Sequence, residues 1–499
     1  MQFFELLQIA IGNRSQLSHT PTAEEWRELY TLAQKQAMVG IAFRGVEQLP
    51  KEQRPPKQLL MQWYMVTERI KAMNTDLDRK ALAVANKFLE EGFPGVVLKG
   101  QGMAQLYKVE RSTVNSQQST DGPHPSPLQG ERGLGLPDEG FDLTLKRSSL
   151  AEGKSKSQNN CQGQGQQTTV NGQRTDHPDG IIQHSTFNGN NLTQTSQNTQ
   201  TLHDASPVRH PDGTVDRRPS TVDHRLIALR SISCYRTPGD IDIWLHGERD
   251  EILEYVRWHV PDCKPVYHHV DFPVVDDVSI EVHFTPTWMN SPIRNRRLQR
   301  FFHSFNFQFS KFVPTSESQA CLDSRSECNR TSTKLIFNSS ELPVPNNAFN
   351  RIYILVHIYR HLFAEGIGLR QLLDYYFVLQ QGFTEVEHEE TLRTLRSLGM
   401  MRFTRAVMWV LQEVYGLPDR YLLTSPDAKE GRFLLDEIML AGNFGKYDER
   451  MQRAAGEGTF RWGLRKVLRN FRFVRSYPSE VLWSPIFKVW HLFWRIRHA

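Results

Sequence analysis

The stretch Tyr235-Arg-Thr-Pro-Gly-Asp-Ile-Asp-Ile-Trp-Leu245 places two carboxylates, Asp240 and Asp242, inside an apolar run. Side chains alternate between the two faces of a β-strand, so both carboxylates are predicted to project from one face while the isoleucines pack into the other. The Pro-Gly pair before Asp240 supplies a turn that opens the strand. Two like charges on a buried strand repel each other and are costly unless a cation neutralises them. The stretch predicts a cation site or, alternatively, a solvent-facing Asp pair on an edge strand.

A second stretch, upstream, predicts a strand that ends in a glycine turn. Val96-Val97-Leu98 is a short apolar run, Lys99-Gly100 follows it, and helical spacing resumes from Gln101 to Tyr107. A glycine between a strand and a helix lets a phosphate approach the backbone, whose first amide N–H groups point outward. Lys99 adds a positive charge at that position. The alternative is an ordinary strand-to-helix connection.

A third stretch contributes another acid. From Val278 to Phe284 the chain alternates apolar residues with Ser279, Glu281 and His283, which predicts a strand preceded by a turn at Asp276-Asp277 and a partner strand. Glu281 is then a third carboxylate on a strand face, unless that face is the exposed side of an antiparallel edge strand. Three converging carboxylates would hold one or two Mg²⁺ ions. Two such ions are the arrangement that stabilises the attacking and leaving oxygens during in-line displacement at phosphorus.

Composition excludes several classes of protein. A formal charge of +5 over 499 residues is too small to indicate a nucleic-acid binder. The five cysteines are irregularly spaced and lack a C-x-x-C pair, so neither a zinc site nor a disulfide framework is expected, and a reducing, cytoplasmic location is predicted. The first residues lack a basic n-region and predict an amphipathic helix instead of a signal peptide. No apolar run is long enough to predict a membrane span.

The predicted fold class is α+β, with a small mixed-sheet core flanked by helical domains. Residues 1–90 form an N-terminal helical region, which includes a capping box at Thr22 to Glu25. The core occupies residues 91–312 and is interrupted at 109–233 by a polar, aperiodic segment whose composition predicts a disordered insertion. A polar loop and linker occupies residues 313–345, and a C-terminal helical domain occupies residues 346–499.

Three features of the C-terminal helices leave alternatives open. His357 and His361 share a helix face and are interpreted as core histidines in preference to metal ligands, since no H-E-x-x-H pattern is present. Arg370 and Asp374 would form an intrahelical ion pair or line a cleft. After residue 460, basic and aromatic residues alternate without a clean stripe. Core packing is favoured there over peripheral membrane or RNA contact.

These motifs together resemble the DNA polymerase β-like nucleotidyltransferase superfamily, and more closely a family of uncharacterised bacterial nucleotidyltransferases. That family is marked by a Leu-Lys-Gly turn, then Arg-x-x-Gly-Asp-Ile-Asp, then Glu-x-His. The matching residues here are Leu98-Lys99-Gly100, Tyr107, Arg236, Gly239-Asp240-Ile241-Asp242 and Glu281-Val282-His283. The resemblance covers most of the chain outside the insertion. Two departures are Gln101, where the superfamily usually has serine or glycine, and the length of that insertion.

The resemblance implies a Mg²⁺-dependent enzyme with a nucleoside triphosphate as donor. Carried over, Asp240, Asp242 and Glu281 are the catalytic, metal-binding residues, with Glu281 as third ligand or as base. The triphosphate-binding residues are Lys99, Gly100, Gln101, Arg236 and Gly239. The predicted reaction moves a nucleoside monophosphate to a hydroxyl of a small molecule, a carbohydrate or lipid precursor, or a protein, and releases pyrophosphate. The alternative is a non-catalytic protein that binds nucleotide or a partner through a degenerate nucleotidyltransferase fold.

Overall fold

A computed structural model describes residues 1–107, 232–275, 278–305, 342–450, 452–453 and 456–498. The predicted disordered insertion lies outside these residues except at its last two positions, where Ile232 is buried and a 3₁₀ turn, Ser233–Tyr235, begins. Most of the predicted polar loop and the turn at Asp276-Asp277 also lie outside them. The fold is α+β, as the sequence predicts: helices surround a small four-stranded mixed sheet.

The N-terminal part is helical, as predicted, and its ends follow from local chemistry. The Thr22 hydroxyl accepts the N–H of Glu25, whose carboxylate accepts the N–H of Thr22, so the predicted capping box is present. The longest helix begins directly after the Pro55-Pro56 break, because proline is tolerated at a helix start. The four helices are α1 (Gln2–Ala10), α2 (Ala23–Lys35), α3 (Val39–Gln48) and α4 (Lys57–Glu90), with a 3₁₀ turn at Lys51–Gln53.

The sheet joins segments that are distant in sequence. Its strands are β1 (Gly95–Val97), β2 (Ile241–Leu245), β3 (His269–Val275) and β4 (Val278–His283), in the order β1-β2-β4-β3. β2 and β4 run parallel, and the other pairs are antiparallel. β4 is therefore a central strand, so the edge-strand alternative for Glu281 is wrong. The short helix α5 (Gln101–Ala104) follows β1, and α6 (Arg249–His259) connects β2 to β3.

One face of the sheet is apolar and is covered by helices. The side chains of Ile241, Ile243 and Leu245 are at most 1% exposed, and they pack with residues of α4 and α6 such as Phe88 and Val256. This burial fixes the strand orientation, because a shift by one residue would turn these side chains to the other face. The opposite face therefore carries Asp242 and Glu281, as the alternation predicts.

The remaining helices enclose the polar face and share a core with the N-terminal helices. The backbone N–H of Leu369 donates to the Gln36 side chain, which in turn donates to the carbonyl of Ile438. The helices are α7 (Pro292–Ser304), α8 (Asn347–Ala364), α9 (Leu369–Gln380), α10 (Glu385–Ser397), α11 (Met401–Tyr415), α12 (Ala428–Ala441), α13 (Thr459–Phe471) and α14 (Pro478–His498), with 3₁₀ turns at Asp419–Tyr421 and Asn443–Gly445.

The C-terminal aromatics divide into two groups. Phe473 and Tyr477 are buried, as the core interpretation predicts, but Phe471 is 49% exposed and Phe493 67% exposed. The core interpretation is wrong for these exposed rings, because Phe471 at the end of α13 and Phe493 on α14 both lie on the solvent side of their helices. No helix in the described ranges is both long and apolar enough to cross a membrane.

Candidate functional site

The pairing of β2 with β4 sets two acids side by side. Asp242 is in register with Glu281 across the parallel pair, and their residues are 0% and 5% exposed. Asp240 lies one residue before β2 and is partly exposed. The site therefore has a deeply buried pair of carboxylates, with a third acid nearer the surface.

Two cationic side chains neutralise the buried pair. Lys99 Nζ lies 2.9 Å from Asp242 Oδ1, and His283 Nε2 lies 3.0 Å from the same oxygen and 3.4 Å from Glu281 Oε2. Burial alone would lower the pKa of Lys99, but the carboxylates of Asp242 and Glu281 outweigh it and raise this pKa. The pKa of His283 is raised by the same balance, with hydrogen bonds to both acids. The charge compensation that the sequence requires is thus present within the chain.

A histidine that the sequence analysis missed joins the site from the neighbouring strand. His269 pairs with His283 across β3 and β4, and its Nδ1 lies 3.7 Å from Glu281 Oε2. His269, Glu281 and His283 each offer one ligand atom, and these atoms lie within 4.8 Å of one another. Among the described residues, these three side chains form the group whose spacing would allow them to hold one metal ion. Asp240 and Asp242 do not belong to this group. The sequence does contain a signal for this histidine, because the polar pair His268-His269 stands at the start of a predicted strand.

The predicted glycine turn lies beside the acids. The Leu98 N–H donates to the carbonyl of Asp242 over 2.9 Å. Gly100 has φ +60°, and a Cβ there would lie 3.4 Å from the carbonyl of Asp240. This left-handed conformation favours glycine. The Gln101 side chain is directed elsewhere: its amide donates to Asp78 Oδ1 on α4 at 2.5 Å.

Arg236 lies apart from the acids, in a buried ion pair. Its Nε and Nη2 donate to the two oxygens of Asp374 at 2.8 Å each, and the Tyr107 hydroxyl donates to Asp374 Oδ1 at 2.5 Å. The predicted intrahelical pairing of Asp374 with Arg370 is therefore wrong, because Arg236 binds Asp374. Arg370 instead donates to the carbonyls of Thr237 and Pro238 at 3.0 Å and packs beside Gly239. These bonds fix the turn that leads into β2.

Helix α8 brings unpaired polar groups toward the acids. The Tyr353 hydroxyl, His357 Nδ1 and Arg360 Nε are buried and have no hydrogen-bond partner in the structure. The Arg360 guanidinium lies 4.1 Å from the centre of the Trp288 ring, whose Nε1 also has no hydrogen-bond partner among the described residues. Such groups cost free energy when left unpaired and mark places where a ligand would supply the missing bonds.

Electrostatics connect this helix with the carboxylate pair. Burial, and then the charge of Asp242, raise the pKa of Tyr353 well above its ordinary value. The pKa of His357 is well below its ordinary value because of burial, His361 and Lys99. His357 and His361 are both buried, their ring centres lie 4.4 Å apart in an edge-to-face arrangement, and neither belongs to the metal-binding group found in the described residues. The carboxylate pair and its cationic partner Lys99 therefore influence the titration of side chains on α8.

Comparison with known proteins gives one match. A family model described as "Uncharacterised nucleotidyltransferase" matches residues 22–111 and 233–416, more than half of the chain. The matched ranges include the glycine turn, all four strands, and helices α8 and α9, but neither α13 nor α14. No curated protein and no solved structure matches the chain significantly. The chain belongs to this family of nucleotidyltransferases.

Proposed function

We propose that the protein transfers a nucleoside monophosphate from a nucleoside triphosphate to a hydroxyl-bearing acceptor and releases pyrophosphate. The proposal includes the placement in the DNA polymerase β-like superfamily and a magnesium site at Asp240, Asp242 and Glu281. The observation that carries it is the register of Asp242 with Glu281, beside Lys99, in a chain of a nucleotidyltransferase family. In the reaction a bond forms between the acceptor oxygen and the α-phosphorus, the bond from that phosphorus to the pyrophosphate oxygen breaks, and the proton of the acceptor hydroxyl passes to water.

One carboxylate oxygen of the proposed site is available to a divalent cation. Asp242 Oδ2 is a buried carboxylate oxygen without a hydrogen-bond partner in the structure, and such an oxygen is suited to a hard cation. When bound, Mg²⁺ would neutralise charge on the triphosphate and on the departing pyrophosphate. The imidazoles of His269 and His283 favour softer ions such as Zn²⁺, so metal preference discriminates between an oxygen-only site and a His-Glu-His site.

The chain's own residues have distinct parts in this proposal. Lys99, whose ammonium group contacts Asp242, would also contact a phosphate oxygen. The backbone at Gly100 would lie next to the phosphates. Burial would raise the pKa of Glu281, but His269 and other neighbours outweigh it, and this pKa is lowered overall. Since Glu281 lies in register with Asp242 across the parallel pair β2 and β4, we assign it to metal binding.

Three of the predicted triphosphate contacts take supporting parts. The Arg236 guanidinium is 5% exposed and engaged by Asp374, so we assign it to positioning the turn before β2. The Gln101 side chain binds Asp78 on α4, next to the glycine turn that follows β1. Gly239 lies in the turn before β2, which Arg370 holds through the carbonyls of Thr237 and Pro238. In their place, the unpaired groups of Tyr353, His357 and Arg360 on α8 are assigned to bind oxygens of the substrates.

The test is release of pyrophosphate and transfer of label from nucleoside triphosphates, with Mg²⁺, Mn²⁺ or Zn²⁺ added separately. We expect Asp242→Asn to reduce the rate by at least about a hundredfold, because removing one group that stabilises transition-state charge has an effect of this order. Asp262→Asn, at an exposed position, is the matched control and should retain full activity. An Asp242→Asn rate equal to that of the wild type would contradict the assignment of the site.

The alternative function is nucleotide binding without catalysis. It is favoured by the contacts of both Lys99 and His283 with Asp242 Oδ1, which supply internal cations where a metal would otherwise be needed. This alternative predicts that calorimetry detects binding of a nucleoside triphosphate while no pyrophosphate appears with any of the three metals. Pyrophosphate release by the wild type would exclude it.

A further inference from the structure

Helix α14 is apolar on two opposite faces. Its inner face packs on the protein: the ring centres of Phe487 and Tyr267 lie 5.8 Å apart, and Val481 is 4% exposed. Its outer face carries a stripe of apolar side chains, each 56–68% exposed: Leu482, Ile486, Val489, Phe493 and Ile496. The spacing of four and three residues places the stripe on one side of the helix. A helix that is apolar all round is normally covered on both sides.

The preceding helix extends this surface. On α13, Leu464, Leu468 and Phe471 are 49–59% exposed and again recur at intervals of four and three residues. Single exposed apolar side chains are common on proteins, whereas stripes of them on two successive helices indicate an interaction site. We call the exposed apolar side chains of α13 and α14 the C-terminal apolar surface.

Both helices are held firmly on the core. Glu480 is 2% exposed, and its carboxylate accepts the backbone N–H of Asn290 at 2.7 Å. The Asn470 amide donates to the carbonyl of Phe363 on α8 at 2.8 Å, and Arg402 donates to the carbonyl of Arg475 at the same distance. The C-terminal apolar surface is therefore presented to solvent in a fixed orientation.

Charge selects the occupant of this surface. From Thr459 to His498 the chain has nine lysines and arginines but one acid, the buried Glu480. Arg461, Lys488 and Arg497 are exposed on these helices, and Arg475 is exposed in the turn between them. A second copy docked through these helices would bring like charges together. RNA would match the charge but not the aliphatic stripe.

We propose that α13 and α14 attach the protein peripherally to an anionic lipid bilayer. The apolar stripe would enter the boundary between headgroups and acyl chains, and the basic side chains would contact the headgroups. α14 has 21 residues, so the stripe lies along a helix about 31 Å long, enough for a shallow in-plane contact. This attachment is independent of the proposed chemistry at Asp242.

The test is sedimentation of the full chain with vesicles of phosphatidylcholine alone or mixed with phosphatidylglycerol. We expect binding to the mixed vesicles that weakens with salt. Ile486→Ser with Phe493→Ser should weaken it by roughly tenfold or more, because each removes an apolar side chain from the bilayer. Met61→Ser with Met65→Ser is the matched control, since both residues are more than half exposed on α4. Equal circular dichroism spectra and unfolding temperatures exclude misfolding as the cause.

A second pair of variants tests the charge. Lys488→Gln with Arg497→Gln should weaken binding to the mixed vesicles by about fivefold for each charge removed. Absence of wild-type binding to mixed vesicles would overturn the proposal. It would also be overturned by a wild-type dimer that the Ile486/Phe493 variant converts to monomers without vesicle binding, or by salt-sensitive binding to single-stranded RNA alone.

Discussion

Lys99 is the residue whose position most directly supports the proposed site. Its ammonium group contacts Asp242 Oδ1 at 2.9 Å, so it compensates a buried negative charge. In the proposed function the same side chain also contacts a phosphate, so the proposal makes metal-free stability and substrate binding depend on one residue. A substitution that removes its charge separates these two contributions.

We expect Lys99→Met to lower the free energy of unfolding by on the order of 2 kcal/mol without metal, because a buried carboxylate loses one of its two cationic partners. Added Mg²⁺ should restore more stability to this variant than it adds to the wild type. Urea unfolding with and without Mg²⁺ measures both effects. Lys80→Met removes an ion pair with Asp76 on α4 and should leave the Mg²⁺ response unchanged. An equal response in the Lys99 variant and the wild type would contradict the prediction.

At the residue scale, alternation along strands was enough to find the acids. Asp242 and Glu281 follow from a period of two and from the apolar residues between them. His269 and the pairing of Arg236 with Asp374 do not follow, because they depend on which segments meet in space. The same limit explains why the predicted ion pair of Arg370 with Asp374 is wrong. Arg370 is the helix neighbour of Asp374 at i, i+4 and is visible in the sequence, whereas the bidentate partner of Asp374 is Arg236, which is distant in sequence.

At the element scale, one cluster of three buried side chains joins three parts of the chain. Arg236 comes from the turn before β2, Tyr107 from the segment just after α5, and Asp374 from helix α9. All three side chains are buried, and the ion pair has both guanidinium bonds at 2.8 Å. Breaking such a pair leaves an unpaired buried charge. The geometry of the Asp240–Asp242 segment therefore depends on a contact that lies outside the proposed catalytic residues.

We expect Arg236→Met to lower the free energy of unfolding by about 3–5 kcal/mol, the usual effect of removing one partner from a buried pair. Arg236→Met combined with Asp374→Leu should be more stable than the single Arg236 variant, since no unpaired charge remains. Guanidinium chloride unfolding of the four proteins in this cycle gives the coupling energy. Strictly additive effects would show that the pair is not coupled.

The elements themselves were predicted better than their arrangement. The capping box before α2, the proline break before α4 and the alternation in β4 are local signals, and each marks an element that is present. The parallel pairing of β2 with β4 is not local, because 32 residues that include α6 and β3 separate Leu245 from Val278. The exposed outer face of α14 was missed because its apolar residues and basic residues are mixed along the sequence.

At the scale of the whole molecule, buried neutral histidines make stability depend on pH. Burial, with a smaller effect of Arg360, lowers the pKa of His361 to about 4 from an ordinary value of 6.5. The unfolded chain therefore binds a proton at this position between those values, while the folded chain does not. Stability is fully present above about 6.5 and falls as the pH decreases toward about 4. His283 has the opposite effect on the pH dependence of stability: because its pKa is raised in the folded protein, its contribution is present at low pH and is lost as the pH rises.

We expect the wild type to lose on the order of 2 kcal/mol of stability at His361 alone between pH 7 and pH 5. His361→Gln, which keeps an acceptor for Arg360, should reduce this loss. His303→Asn, at an exposed position on α7, should not change it. Urea unfolding at the two pH values measures the difference. A loss that is the same in all three proteins would refute the role of His361.

A further prediction concerns the segment between the two matched ranges. Tyr107 and Arg236 both contact Asp374, so the chain on either side of the segment converges on one residue. We expect that replacing residues 112–231 with a short Gly-Ser linker, which keeps the buried Ile232, leaves the unfolding temperature within a few degrees, because loop closure depends only weakly on length. Calorimetry and the pyrophosphate assay test this. Loss of cooperative unfolding would show that the segment is part of the folded unit.

The parallel pairing of β2 with β4 also makes assembly of the site a late event in folding. Asp242 and Glu281 meet only when two strands joined by a long connection align in register, and contacts of this kind form slowly. A slip of one residue would place Ile280 or Val282 opposite Asp242. If the proposed activity is present, its recovery during refolding should coincide with the slowest phase of structure formation. The time course of the pyrophosphate assay would then report when β2 and β4 align in register.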